Sequence, residues 1–282
     1  MQRVRGFPPR SPSRTPARRG KHEPPPRKEL LAPNEGKSLV IEVDGRRWAR
    51  IPLQTRAFEG GEDFAALIAD YVTTAIDPIR ADPELAAGLS RPWYVVSSEK
   101  IVAIAQGRSY FLWDIKPGFW ARTLSRFVVK LPTGIGLGTP WTMQLAIQEA
   151  GLPRILLAAG ASAVGKLIGK RGWFYLVAGN NVNAIDGPAE TNVYPANVSA
   201  KLAPKDPDRA SGAIRRAIRD RVPAEIGDRL AGVTIIDAND LGRNVLGQES
   251  DRPDAFFAQL FADNPAGQGR QQTPIIVCLQ LD

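Results

Sequence analysis

The sequence predicts a mixed α/β (α+β) fold, with strands in mixed sheets, flanking helices and a disordered N-terminal tail. Three observations carry that expectation. Short β-branched or aromatic runs, such as Trp93–Val96 and Val233–Ile236, have the length and composition of buried strands. Longer stretches between them place apolar residues at helical spacing. Residues 1–36 hold Pro, Arg and Ser with almost no apolar pattern, so they have little to bury. The reading is a basic tail over 1–36 and one body over 37–282.

The elements follow in order. Ser38–Val43 and Arg46–Ile51, around Asp44-Gly45, read as a hairpin. A glycine turn at Gly60-Gly61 leads into an amphipathic helix of about three turns. Trp93–Ser97 reads as a buried strand, and the segment after it closes on Gly107-Arg108. Trp141–Ala150 and Leu152–Lys170 read as helices, followed by a strand at Trp173–Val177. Asp206 as N-cap and Pro207 at the first position open another helix. The strand Val233–Ile236, a helix near Asp254–Phe261 and a last strand Ile275–Leu281 complete the body.

Charge and composition narrow the chemistry. The net charge of +8 is concentrated in residues 1–37, where ten Lys or Arg face three Glu. The body is therefore nearly neutral, and the tail reads either as a solvated extension, the favoured reading, or as a segment attracted to nucleic acid or anionic surfaces. The single histidine, His22, lies in the tail, so a histidine-based triad or zinc site in the body is excluded. The single cysteine, Cys278, stands in an apolar run and reads as a small buried hydrophobe. No run of about twenty apolar residues spans a membrane, and no apolar stretch follows the basic N-terminus as a signal peptide would. The expected location is cytoplasmic.

Two segments concentrate oxygen ligands. Val233–Ile236 runs into Asp237, Asn239 and Asp240, then Gly242-Arg243 and Gly247. Carboxylates at the end of a buried strand lie where α/β proteins bind ligands, and they suit a hard ion such as Mg²⁺ or Mn²⁺. The same residue types also make an ordinary turn. The second segment, Gly179–Asn192 with Asp186, likewise follows an apolar run. The two acidic ends are expected to meet around one metal cluster. Two glycine loops imitate nucleotide motifs. Gly160–Lys166 has Leu167 where a phosphate loop needs Ser or Thr and sits in a helical pattern; Gly134–Gly138 reads equally as a tight loop. Lys100, beside Ser97 and Ser98 at a strand end, reads as an anion clamp or a surface lysine.

Five segments in order resemble the gamma-glutamyl ligases of the deazaflavin coenzyme F-420. They are Ile51–Thr55 with Gly61-Glu62-Asp63; Ser97–Arg108; Ala178–Asn192; Pro204–Asp208; and Gly242-Arg243 through Gly247–Asp251. The resemblance implies an α/β homodimer that activates a carboxylate with GTP as an acyl phosphate, which the amine of L-glutamate then attacks. It implies two divalent metals, Mg²⁺ or Mn²⁺, held largely by aspartates. Carried onto this chain, Asp186 and either Asp237 or Asp240 hold metal, and Lys100 and Arg243 contact phosphate or the substrate carboxylate. Gly107, Arg108, Asn183, Gly242 and Gln248 then line the nucleotide. The chain departs from the pattern at Val245-Leu246, which stand where an arginine is expected, and in extra residues between Asp186 and Asn192. The readings set beside it are a non-catalytic nucleotide- or metabolite-binding homologue, a ligase for another acid and amine, and a nucleic-acid-associated protein acting through its tail.

Overall fold

The structure, a computed structural model, describes residues 29–128, 136–170, 172–188, 198–239, 242–267 and 271–282. β1 (Val40–Val43) and β2 (Arg46–Leu53) form the expected hairpin. Its turn residues, Asp44 at φ 53° and Gly45 at φ 69°, are both left-handed, which a two-residue turn needs to match strand twist. α1 (Phe64–Ala81) is capped by Asp63, whose carboxylate accepts from the amides of Ala65 and Ala66. It outruns the expected three turns because Ala75, Ile76 and Ile79 continue the buried stripe begun at Ile68 and Val72.

α2 (Pro83–Leu89) leads to β3 (Trp93–Ser98), and α3 (Glu99–Ala105) starts at the next residue. The middle of the chain holds β4 (Ser109–Phe111), α4 (Phe119–Leu124), α5 (Pro140–Ala150), α6 (Leu152–Leu167), α7 (Trp173–Ala178), α8 (Asn180–Asn183) and β5 (Ser199–Lys201). The chain closes with α9 (Pro207–Arg219), α10 (Ala224–Gly227), β6 (Leu230–Ala238), β7 (Arg243–Ser250), α11 (Asp254–Leu260) and β8 (Ile275–Gln280).

The main sheet has the order β1-β2-β8-β3-β6-β7, with β3 and β6 parallel and the other pairs antiparallel. α1 and α9 cover one face, where Ile68, Val72, Ile214 and Ile218 join Val95, Val233, Ile235 and Val277 in one core. α11 covers the other, where Phe256, Phe257 and Leu260 join Tyr94, Val96, Ile236 and Ile276. Burial on both faces explains why the central strands read as continuous apolar runs and not as alternation. The middle segment has its own core around Leu137, Met143, Ile155, Val182 and Leu202, beside the two-stranded β4-β5 sheet.

Three local expectations are corrected. Trp173–Val177 is helical, not a strand: it is bounded by Gly172 and Gly179 at positive φ, and it lays Phe174, Tyr175 and Val177 on the middle core. A short apolar run between glycines carries no period that separates the two states. Asp206 stands at the N-cap of α9, but in the left-handed region and with no side-chain capping bond. Packed structure also begins before Ser38, since the buried Asn34 amide donates to Pro265 O and Thr273 Oγ1. Among the described residues no helix is long and apolar enough to cross a membrane.

Candidate active site

The parallel alignment of β3 and β6 brings both C-terminal ends to one edge, with Ser98 opposite Ile236. Charged residues stand directly after both ends. Glu99 and Lys100 open α3, after Ser98 caps it through the Lys100 amide at 3.4 Å. Asp237 is the next residue of β6. From the middle segment, Asp186 and Lys201 form an isolated antiparallel bridge, exchanging backbone hydrogen bonds of 3.0 and 2.8 Å. Five charged residues from four stretches of chain thus converge at the end of the parallel pair, the usual ligand end of such a sheet.

Lys201 is the most enclosed charge, with 6% of its side chain exposed, while the Asp186 side chain is 51% exposed. The Lys201 Nζ lies 3.1 Å from Asp186 Oδ2, close enough for an ion pair but without an aligned hydrogen bond. Glu99 is buried, and burial pushes its carboxyl up to about 7; the charges of Asp237 and Asp186 act the same way, while Lys201 and Lys100 oppose them. Asp237 is raised by burial first and then by Asp186, with Lys201 and Lys100 opposing. Lys100 is depressed chiefly by the Lys201 charge and then by burial, with Asp186 and Glu99 pulling it back up. Glu99, Lys100 and Asp237 thus each feel the charges of Asp186 and Lys201.

The cluster joins three of the residues singled out from sequence, Lys100, Asp186 and Asp237. Asp186, however, follows two helices and not a strand. Asp240 lies outside the described residues, as does part of the Gly134–Gly138 loop. Gly160–Lys166 lies wholly inside α6, where Gly165 leaves room for the Trp173 ring, so it is no phosphate loop.

Several other candidates sit elsewhere. Gly107, at φ 70°, ends α3 by donating to Ile104 O. The Arg108 guanidinium is committed to Glu149 at 2.8 Å and to the Ala203 carbonyl. Asn183 is exposed at the end of α8. Gly242 belongs to the β6–β7 turn: its amide donates to Asn239 Oδ1, and a Cβ there would meet nothing within 4 Å. Arg243 pairs opposite Ala238, and Gln248 opposite Thr234, both on the sheet face covered by α11. Asp237 alternates onto the other face, so Arg243 and Gln248 start from the face opposite to it.

Sequence reading missed Glu99 and Lys201. Glu99 was within reach, because it stands between Ser98 and Lys100 at a strand end. Lys201 offered only a lone cation among small and apolar residues before Pro204, and the bridge that aims it at Asp186 is a long-range contact. Among the described residues no group of three or more His, Cys, Asp or Glu side chains could hold a metal ion. Asp186 and Asp237 supply two hard carboxylates, which suit one ion shared with phosphate oxygens.

A profile of the family described as F420-0:Gamma-glutamyl ligase matches residues 52–240, more than half of the 282-residue chain. The chain belongs to this family. No match was found among curated proteins. The matched span contains Glu99, Lys100, Asp186, Lys201 and Asp237, and stops short of Gly242, Arg243 and Gln248. Membership in the F420-0:gamma-glutamyl ligases supports an enzyme of the ligase kind acting on small molecules.

Proposed function

We propose that the chain is a nucleotide-dependent amide ligase that joins L-glutamate to an acid such as F420-0 through an acyl phosphate. The observation that carries this reading is the pair of ammonium groups, Lys100 and Lys201, set against carboxylates at the end of the parallel strands. In the proposed reaction a carboxylate oxygen of the acid attacks the γ-phosphoryl group of GTP, and GDP leaves. The glutamate nitrogen then attacks the acyl carbon, phosphate leaves, and the nitrogen gives up a proton. Each step needs positioning and neutralisation of moving negative charge more than it needs a covalent catalyst.

In this reading Lys100 contacts the transferring phosphoryl group or the carboxylate of the acid. Lys201 holds the Asp186 carboxylate in place. Asp186 and Asp237 would hold one Mg²⁺ or Mn²⁺ brought with the nucleotide, whose chemistry there is neutralisation of phosphate charge. The leaving phosphate takes up the proton released by the attacking amine. The same reading carries a homodimer, which rests on the family resemblance alone, and the cytoplasmic location expected from the sequence.

The test is mass spectrometry of product formed by the full chain from F420-0, L-glutamate, GTP and Mn²⁺. A gain of one glutamyl unit with release of GDP and phosphate, lost in Asp237→Ala, is the expected result. GTP that is neither bound in calorimetry nor cleaved under these conditions would sink the reading.

A further inference from the structure

We propose that Lys201 is the resident cation of this site, standing in for one of the two divalent ions implied by the family resemblance, so that the chain binds at most one. The inference uses the placement of Asp186 and Asp237 in the proposed site, but not the ligation chemistry. Its first support is burial: an ammonium that is 6% exposed is stable only where anions replace its lost water. The anion in contact is Asp186, at 3.1 Å, and Asp237 is near enough for its charge and that of Lys201 to act on each other.

The second support is the state of the Nζ atom itself. It is buried and makes no aligned hydrogen bond, so charge and not hydrogen-bond geometry holds it there. The third is that its position is fixed by the backbone. The bridge between Asp186 and Lys201 places the two residues opposite each other, whatever fills the site. A divalent ion seated on the same carboxylates would meet this ammonium at close range, and like charges at that distance repel strongly in a poorly solvated site. One ion can share the open side of Asp186, whose side chain is 51% exposed, and among the described residues no group of three or more acidic ligands offers a second ion a seat.

The experiment is equilibrium binding of Mn²⁺ alone to the full chain, without nucleotide, read by the free-ion signal in electron paramagnetic resonance. Wild type is expected to take up no more than one ion. Lys201→Met is expected to gain a further ion, or to bind at least about tenfold tighter, and Lys201→Arg to behave as wild type. Adding Asp186→Asn to Lys201→Met should remove the gain, which separates this site from ions held elsewhere. Two ions on the wild type would overturn the proposal, as would a folded Lys201→Met with no gain. Should Lys201→Met fail to fold, Lys201→Gln replaces it under the same two criteria. Ion stoichiometry and ligation product are separate readouts, so this inference and the ligase reading can fail independently.

Discussion

Lys201 and Asp186 hold each other twice, by two backbone hydrogen bonds and by an ion pair of 3.1 Å between their side chains. The pair is lopsided, because the lysine is enclosed and the aspartate is half open to water. Removing the aspartate leaves a buried cation with less compensation, whereas removing the lysine leaves a carboxylate that solvent can reach. Asp186→Ala is therefore expected to cost about 2–3 kcal/mol of stability, and Lys201→Met, which keeps the volume, less than about 1.5 kcal/mol. Urea denaturation of the two variants measures the order, and the reverse order would contradict the enclosure of Lys201.

Glu99 sets a pH dependence. Its carboxyl sits at about 7 in the fold against an ordinary 4.5. Between those values the folded chain keeps a proton that the unfolded chain has released, so stability falls as pH rises. The contribution is fully present below about 4.5 and is lost as pH passes through about 7. Over that window wild type should lose up to roughly 3 kcal/mol relative to Glu99→Gln, which cannot ionise. Urea midpoints of both proteins from pH 4.5 to 8 check this, and a difference that stays flat with pH would remove Glu99 from the cluster's electrostatics.

The strands were legible because both faces of the sheet are covered, which leaves near-continuous apolar runs at Trp93–Val96, Val233–Ile236 and Ile275–Leu279. The hairpin was legible from Asp44-Gly45, the pair of residues that enters left-handed backbone most readily. Helix α7 was not, since Trp-Phe-Tyr-Leu-Val between glycines has strand composition and too few residues to show a helical period. At the candidate site, Lys100, Asp186 and Asp237 were singled out through their positions after apolar runs. The side of the sheet on which Arg243 and Gln248 fall was hidden, because it depends on the register of β7 against β6. That register shifts by a bulge between Ile235 and Ile236 that no local signal announces.

Cys278 lies at the centre of β8, fully buried, and burial pushes its thiol up to about 12 with Arg50 opposing. A thiol so rarely ionised and so enclosed is a poor nucleophile. The native chain should leave a thiol reagent such as 5,5′-dithiobis(2-nitrobenzoate) unreacted, and the chain in guanidinium chloride should react with one equivalent. Rapid reaction of the native protein would show that the strand is not covered on both faces.

Gln248, read from sequence as lining the nucleotide, stands with Gly247 at the joint between β7 and the start of α9. A Cβ on Gly247 would stand 2.6 Å from the Asp208 amide nitrogen and the Pro207 carbonyl carbon, both backbone atoms that cannot swing aside. The joint is closed by the Gln248 amide donating to Asp208 Oδ1 at 2.8 Å, and by Ser211 Oγ donating to Gly247 O at 3.3 Å. Gly247→Ala must force strand and helix apart and is expected to cost about 1–3 kcal/mol or more. Gln248→Ala loses only its side-chain bond to Asp254, 2.6 Å long and on the sheet face away from the charge cluster, for about 1 kcal/mol. Both variants should lower the urea midpoint while a folded Gln248→Ala binds GTP with the wild-type dissociation constant in calorimetry. A GTP affinity that drops with stability unchanged would return Gln248 to the nucleotide site and place the ligand across the sheet edge, not on one face of it.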